Sequence, residues 1–210
     1  MKRLILLCLV LFLVSPVIAE EQPPEPPSIE MNFPDEPSLK SFIENYKKDV
    51  LAEFQGEYDK AVQEDGIFNP WSLDVDGLIT YRGKFWCMRI GGYDYRGGAH
   101  GMPFLDSFYF DAETKKQLVD DDLFLPGLYE KLCELCRADL IKQGFEADDD
   151  WMMRGTEPTA SNYRVIVADK GGLIVLFNPY QVAPYAAGVP EVTIPWGTAW
   201  TLFKPSWRPE

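Results

Sequence analysis

The spacing of apolar positions changes several times along the chain, and each change marks an element. Ile29, Met31 and Phe33 alternate with polar residues, which predicts a strand. From Pro37 to Gly66 the spacing becomes three and four. Leu39, Phe42, Ile43, Tyr46, Val50, Leu51, Phe54, Tyr58 and Val62 then share one stripe of an amphipathic helix, opened by Pro37 and stopped at Gly66. A stripe this rich in aromatic side chains packs on a sheet as core. Trp71 to Tyr95 reads as two strands turned near Arg82-Gly83, and Phe104 to Phe110 as another. Asp111 to Lys115 supplies a turn before Gln117-Leu118-Val119 resumes extension. A second helix is expected from Leu123 or Pro126 to Gln143, burying Leu128, Leu132, Leu135, Cys136 and Leu140 and ending at Gly144. Asn162 to Asp169 and Leu173 to Phe177 form strands paired across Lys170-Gly171-Gly172, and Val192 to Pro195 forms a last one. Thr198 to Phe203 reads as a short closing helix, and the Pro-rich end is expected to fray.

The first residues follow a different logic. Lys2-Arg3 is a basic start, Leu4 to Val14 an apolar run, and Ser15-Pro16 a break. Val17-Ile18-Ala19 then presents a signal-peptidase site, so residues 1–19 read as a signal peptide and the protein as exported, periplasmic or secreted. The apolar run is short for a membrane span, and no later segment suits one. Residues 20–28 form a Pro-rich leader with little to bury, and residues 29–205 a single domain.

The most informative loop lies between the last two strands. Asn178-Pro179 breaks the strand, and the chain continues through Tyr180, Val182, Pro184, Tyr185 and Gly188. Loops gain nothing from exposed apolar groups, so this composition has two readings. The tyrosines either cap the core or form a contact surface stiffened by Pro179 and Pro184. A second loop, Arg96 to Gly101, carries Gly98 and the chain's one histidine, His100, after Tyr95. Its glycines permit a tight path, but their spacing is not that of a nucleotide loop. The residues expected to make contacts are therefore Pro179, Tyr180, Pro184, Tyr185, Gly188, Tyr95, Gly98 and His100.

Charge narrows the partners. The 210 residues carry a formal charge of −13, so the surface repels nucleic acid and anionic lipid and suits basic partners. Enzyme signatures are sparse. One histidine rules out zinc motifs that need two, and there is no Gly-x-Ser-x-Gly elbow. A Cys87–His100 pair can be written down, but Cys87 sits mid-strand among apolar residues, where a thiol is not activated. Cys133 and Cys136 are spaced C-x-x-C inside a helix, away from the N-terminus that lowers a redox thiol's pKa. Export permits one disulfide among Cys87, Cys133 and Cys136; buried free thiols are the other reading. Asp120-Asp121-Asp122 suits a helix start, and Glu146 to Asp150 lacks calcium-loop spacing. No catalytic residue, metal or cofactor is expected.

Three blocks together carry a family resemblance: Tyr95 to Gly101 (YRGGAHG), Phe108 to Phe124 (FYFDAETKKQLVDDDLF) and Phe177 to Pro195 (FNPYQVAPYAAGVPEVTIP). They resemble the exported bacterial domain of unknown function found in the sigma-V anti-sigma factor RsiV and ahead of the catalytic domain in PdaC-type peptidoglycan deacetylases. The likeness is good from about Tyr93 to Phe203. It departs at Lys115-Lys116, where the family often has a glycine. The resemblance implies an α+β fold, an antiparallel sheet with two main helices packed on it. It also implies a recognition module whose partner is lysozyme, another wall hydrolase, or peptidoglycan. The alternative is a cell-wall hydrolase acting on peptidoglycan glycan or peptide.

Overall fold

Strands β1 (Ser28–Asn32), β2 (Ser72–Arg82), β3 (Phe85–Tyr95), β4 (Met102–Asp111) and β5 (Gln117–Leu118) form one sheet in that order. The computed structural model describes residues 25–64 and 69–209, so the expected signal peptide, most of the expected leader and Gly66 lie outside the described residues. β2 to β5 are antiparallel neighbours, whereas β1 runs parallel to β2. That parallel edge needs a crossover, which α1 (Lys40–Glu64) provides after a 3₁₀ turn at Pro37–Leu39. A second, three-stranded antiparallel sheet follows: β6 (Ile166–Ala168), β7 (Gly172–Leu176) and β8 (Glu191–Pro195). The fold is mixed α+β, with the helices on the sheets as the resemblance implies. The expected single antiparallel sheet is corrected in two respects: β1 is a parallel edge strand, and β6 to β8 form a second sheet.

Alternation along β3 sorts the core into two layers. Met88 and Ile90 face α1 with Leu73, Val75 and Phe110, against Leu39, Ile43, Phe54 and Tyr58. Phe85 and Cys87 face the second sheet and α3 (Leu128–Lys142), against Val167, Leu173, Leu132 and Cys136. The register of β2 shifts between Ile79 and Tyr81. Ile79 packs on the α1 layer, while Thr80 donates to the Ala168 carbonyl (2.6 Å) and Tyr81 stacks on Phe85 (4.9 Å). A bulge thus sends two successive side chains towards the second sheet.

Several expectations are corrected. The second helix is divided: Asp120–Leu123 forms its own turn, α2, closed by Val119 N–H donating to Asp122 (3.0 Å), before α3 begins at Leu128. Helix α4 (Asp150–Gly155) occupies what reads as an acidic loop, because Asp149 accepts from Trp151 N and Met152 N. The strand expected from Asn162 is only Ile166–Ala168; Tyr163 precedes it, buried, donating to the Thr156 carbonyl (2.8 Å). Leu51 and Val62 leave the buried stripe of α1 and are exposed. The C-terminal end does not fray: Pro205–Trp207 is a 3₁₀ turn whose Trp207 indole donates to the Asp122 carbonyl (2.8 Å) and meets Phe85 edge-on. The closing helix α5 is Trp196–Ala199, two residues earlier than its expected start. Cys87, Cys133 and Cys136 are all free and buried, so of the two readings buried free thiols hold among the described residues and the disulfide does not form. Lys115, at the departure from the family's glycine, takes φ +58°, the left-handed geometry in which a glycine is easiest.

Candidate functional site

The loop from Asn178 to Pro190 divides its side chains between core and surface. Val182 and Ala183 are buried, Val182 within the α3 layer, whereas Tyr180 is 44% exposed and Tyr185 half-buried. Both readings of the loop are therefore realised, by different residues. Pro184 and Gly188 are exposed, Pro179 is partly covered, and Gly188 ends the 3₁₀ turn Tyr185–Ala187 at φ +71°.

Tyr180 and Tyr185 belong to a row of rings. Trp151 of α4 lies nearly parallel to Tyr180 (6.3 Å, 12°), Tyr180 lies beside Tyr185 (5.7 Å, 37°), and Tyr185 stacks on His100 (4.0 Å, 21°). The Trp151 indole N–H donates to the Tyr180 carbonyl, which ties α4 to the loop. The row joins three segments far apart in the sequence, and each ring leaves part of its surface to solvent.

The backbone around it explains why these residues sit there. Gly101 N–H donates to the Tyr93 hydroxyl (2.8 Å), and its carbonyl accepts from the Tyr185 hydroxyl (3.0 Å) and lies 3.0 Å from His100 Nδ1. A Cβ at Gly101 would fall 2.5 Å from the Tyr93 ring and 2.7 Å from the Asp94 carbonyl, so only glycine fits. Gln181 holds the other side: it donates to the carbonyls of Gly155 (3.0 Å) and Asn162 (2.7 Å) and accepts from Asn178 N–H (3.2 Å). Tyr180 is thereby held at φ +68°, a conformation that strains a bulky residue. Desolvation, then the Tyr93 hydroxyl, raise the Tyr185 phenol above its ordinary value, so it remains a neutral donor.

The structure brings Tyr180, Tyr185 and His100 together. Tyr95 and Gly98 are neighbours of one another, the Tyr95 hydroxyl donating to the Gly98 carbonyl (3.0 Å), but they do not join the row of rings. Sequence reasoning missed Trp151, Gln181 and the clamp at Gly101. The available signals were a lone tryptophan behind the Asp148-Asp149-Asp150 run and the final glycine of YRGGAHG.

Residues 121–197, from α2 to the first turn of α5, match DUF3298, described as a protein of unknown function. That segment is thus similar to the DUF3298 family over part of the chain. The match takes in Phe177 to Pro195 whole and Trp151 with it, and leaves His100 outside. The chain is 26% identical over 160 residues to the peptidoglycan-N-acetylmuramic acid deacetylase PdaC of Bacillus subtilis, covering 74% of this chain and 34% of that protein. It thus spans about a third of that relative's length. It is 24% identical over 174 residues to the immunogenic protein MPT64 of Mycobacterium tuberculosis, covering 80% of this chain and 72% of that one. A DUF3298 family protein of Pseudomonas aeruginosa has a similar fold, with TM-score 0.55 at 21% identity and 84% of each chain covered. Among the described residues no helix is long and apolar enough to cross a membrane.

Proposed function

We propose that this protein is an exported recognition domain of the cell envelope, and that the row Trp151–Tyr180–Tyr185–His100 is its contact face. The observation that carries the reading is Tyr180. A tyrosine forced to φ +68° by three hydrogen bonds of Gln181, with its ring left to solvent, costs stability and gains no core packing. Strain kept at a surface aromatic points to contact with something outside the chain. Half-exposed, near-parallel rings suit the flat apolar faces of sugar rings, and the nearby hydroxyls can bond to sugar oxygens. PdaC is by name a peptidoglycan deacetylase, which supports peptidoglycan glycan as the target.

A basic wall hydrolase such as lysozyme is the second reading. It is favoured by the formal charge of −13 and by the resemblance to RsiV. Binding of the purified protein to soluble peptidoglycan fragments and to lysozyme, at low and high salt beside an equally basic control protein, separates the two. Salt-tolerant binding to the glycan, lost with Tyr180→Gly, supports the first reading. Salt-tolerant binding to lysozyme and not to the control supports the second. Binding of both proteins that vanishes with salt reports only the net charge.

A further inference from the structure

The hydrogen-bond donors of the aromatic row are nearly all spent inside the protein. The Trp151 indole N–H donates to the Tyr180 carbonyl, the Tyr185 hydroxyl to the Gly101 carbonyl (3.0 Å), and the Gly101 N–H to the Tyr93 hydroxyl (2.8 Å). His100 completes the set. Its Nδ1 lies 3.0 Å from the Gly101 carbonyl oxygen, which can only accept, so Nδ1 carries a proton. In the neutral imidazole the other nitrogen, Nε2, is then a bare acceptor. Nε2 has no hydrogen-bond partner among the described residues, and the residue is exposed.

That one bond fixes which nitrogen faces outward. A half-turn of the ring would keep the stack on Tyr185 (4.0 Å, 21°) but set a carbon against the Gly101 carbonyl in place of Nδ1. The titratable groups packed around the imidazole are the Tyr185 phenol, from the β7–β8 loop, and the Tyr93 phenol, from β3 through Gly101. Asp94 and Arg96, in the same hairpin, are paired with each other (2.8 Å), and Glu57 of α1 also pairs with Arg96. Among the described residues no charged group makes an ion pair with His100, so its outer nitrogen is left to a ligand or to water.

We infer that His100 Nε2 is the specificity-determining atom of the row, and that it accepts the acetamido N–H of an N-acetylated sugar stacked on the rings. The inference rests on the reading of the row as a glycan-binding face and names the group recognised there. A row whose donors are spent, with one bare nitrogen at its end, selects a ligand that donates. A sugar hydroxyl is indifferent, since it donates or accepts as its partner requires, whereas an amide N–H only donates. PdaC is by name a deacetylase of an N-acetylated sugar, which supports the same chemistry. Histidine takes up its second proton between about pH 5 and 8. Once Nε2 holds that proton, two N–H donors face one another. The acetamido sugar then loses its advantage, and a sugar with hydroxyls alone does not.

Nitrogen NMR of the imidazole tests the geometry without a ligand, and His100 is the chain's one histidine, so in the untagged protein the signals are unambiguous. At about pH 8 a protonated Nδ1 and a bare Nε2 are expected, and the opposite tautomer would overturn the inference. Binding of the N-acetylglucosamine trisaccharide is then compared with that of cellotriose, the same backbone with hydroxyls in place of the acetamido groups, at about pH 8 and about pH 5.5. The acetamido sugar is expected to bind about tenfold tighter than cellotriose at the higher pH and to fall to its level at the lower, while cellotriose stays level. His100→Phe keeps a ring against Tyr185 and removes Nε2. It is expected to hold both sugars at the cellotriose level at either pH. Equal affinity for the acetamido sugar at both pH values, cellotriose falling in parallel, or unaltered binding in His100→Phe would each overturn the inference and leave the glycan face standing. Binding of neither sugar at either pH would remove both.

Discussion

The imidazole of His100 lies face to face with the phenol ring of Tyr185, 4.0 Å between centroids and 21° between planes. The contact bridges the β3–β4 hairpin and the β7–β8 loop, and the backbone of Gly101 sits under it, bonded to Tyr93 on one side and Tyr185 on the other. The row of rings thus rests on one residue without a side chain.

Gly101→Ala is expected to destabilise the protein by about 1–3 kcal/mol, because its Cβ must displace the Tyr93 ring or the Asp94 carbonyl. Urea unfolding measures it. A change within about 0.5 kcal/mol, the range of ordinary surface substitutions, would show that the clamp yields freely.

Tyr180→Gly separates function from stability. Glycine relieves the left-handed backbone, a strain of about 1–3 kcal/mol, and forfeits the stacking on Trp151, worth about 0.5–1.5 kcal/mol. The melting temperature is expected to stay nearly level or rise slightly. A loss of more than about 2 kcal/mol would make Tyr180 a structural residue and remove the argument from strain.

The cysteines are expected to be silent. Burial pushes the Cys87 thiol up to about 11, with Thr80 and Ala168 only partly offsetting it, and burial raises Cys136 as well. A thiolate-selective reagent at pH 8 is expected to leave Cys87, Cys133 and Cys136 unmodified in the folded protein and to modify all three in denaturant. Rapid native labelling of any of them would contradict that burial.

Asp94 sets a pH window. Its folded value, raised to about 6 by burial and then Glu53, lies above the roughly 3.9 of an unfolded aspartate. The folded state therefore holds the proton more tightly between those values, and stability falls as pH rises from about 4 to 6. Asp111 and Glu36 are shifted the other way, by the hydrogen bonds of Thr114 and of Ser38 and Arg82, so their contributions are lost only at lower pH. Thermal unfolding of Asp94→Asn is expected to lose the slope between pH 4 and 6. A variant with the slope intact would show that Arg96 holds Asp94 ionised throughout.

Much of this fold is legible as periodicity, because core residues obey it. β2, β3, β4 and α1 stand within a few residues of their expected places, and Gly144, at φ +102°, ends the chain's second long helix as its position suggests. The boundaries that were not legible depend on local hydrogen bonds. Asp149 starts a helix in a run of acids through its own side chain, and Val119 N–H binding Asp122 detaches a turn from the helix behind it. The site is only half legible for a related reason. Tyr180, Tyr185 and His100 stand out as aromatic groups in loops, but Trp151 joins them only because Gly155 lets α4 approach Gln181, where a Cβ would fall 2.0 Å from the Gln181 carbonyl. No spacing in the sequence encodes that approach.

The Trp151 indole N–H reports directly on the row of rings, since it donates to the Tyr180 carbonyl at one end of it. Its NMR resonance, followed while a soluble peptidoglycan glycan fragment is added and then in the Tyr180→Gly protein, is the measurement closest to the central claim. The account predicts a saturable shift of that resonance together with the amides of Tyr185 and His100, and at least a tenfold loss of affinity in the variant. Saturable binding that leaves these three residues unmoved, or an unaltered row in the presence of both glycan and lysozyme, would contradict it.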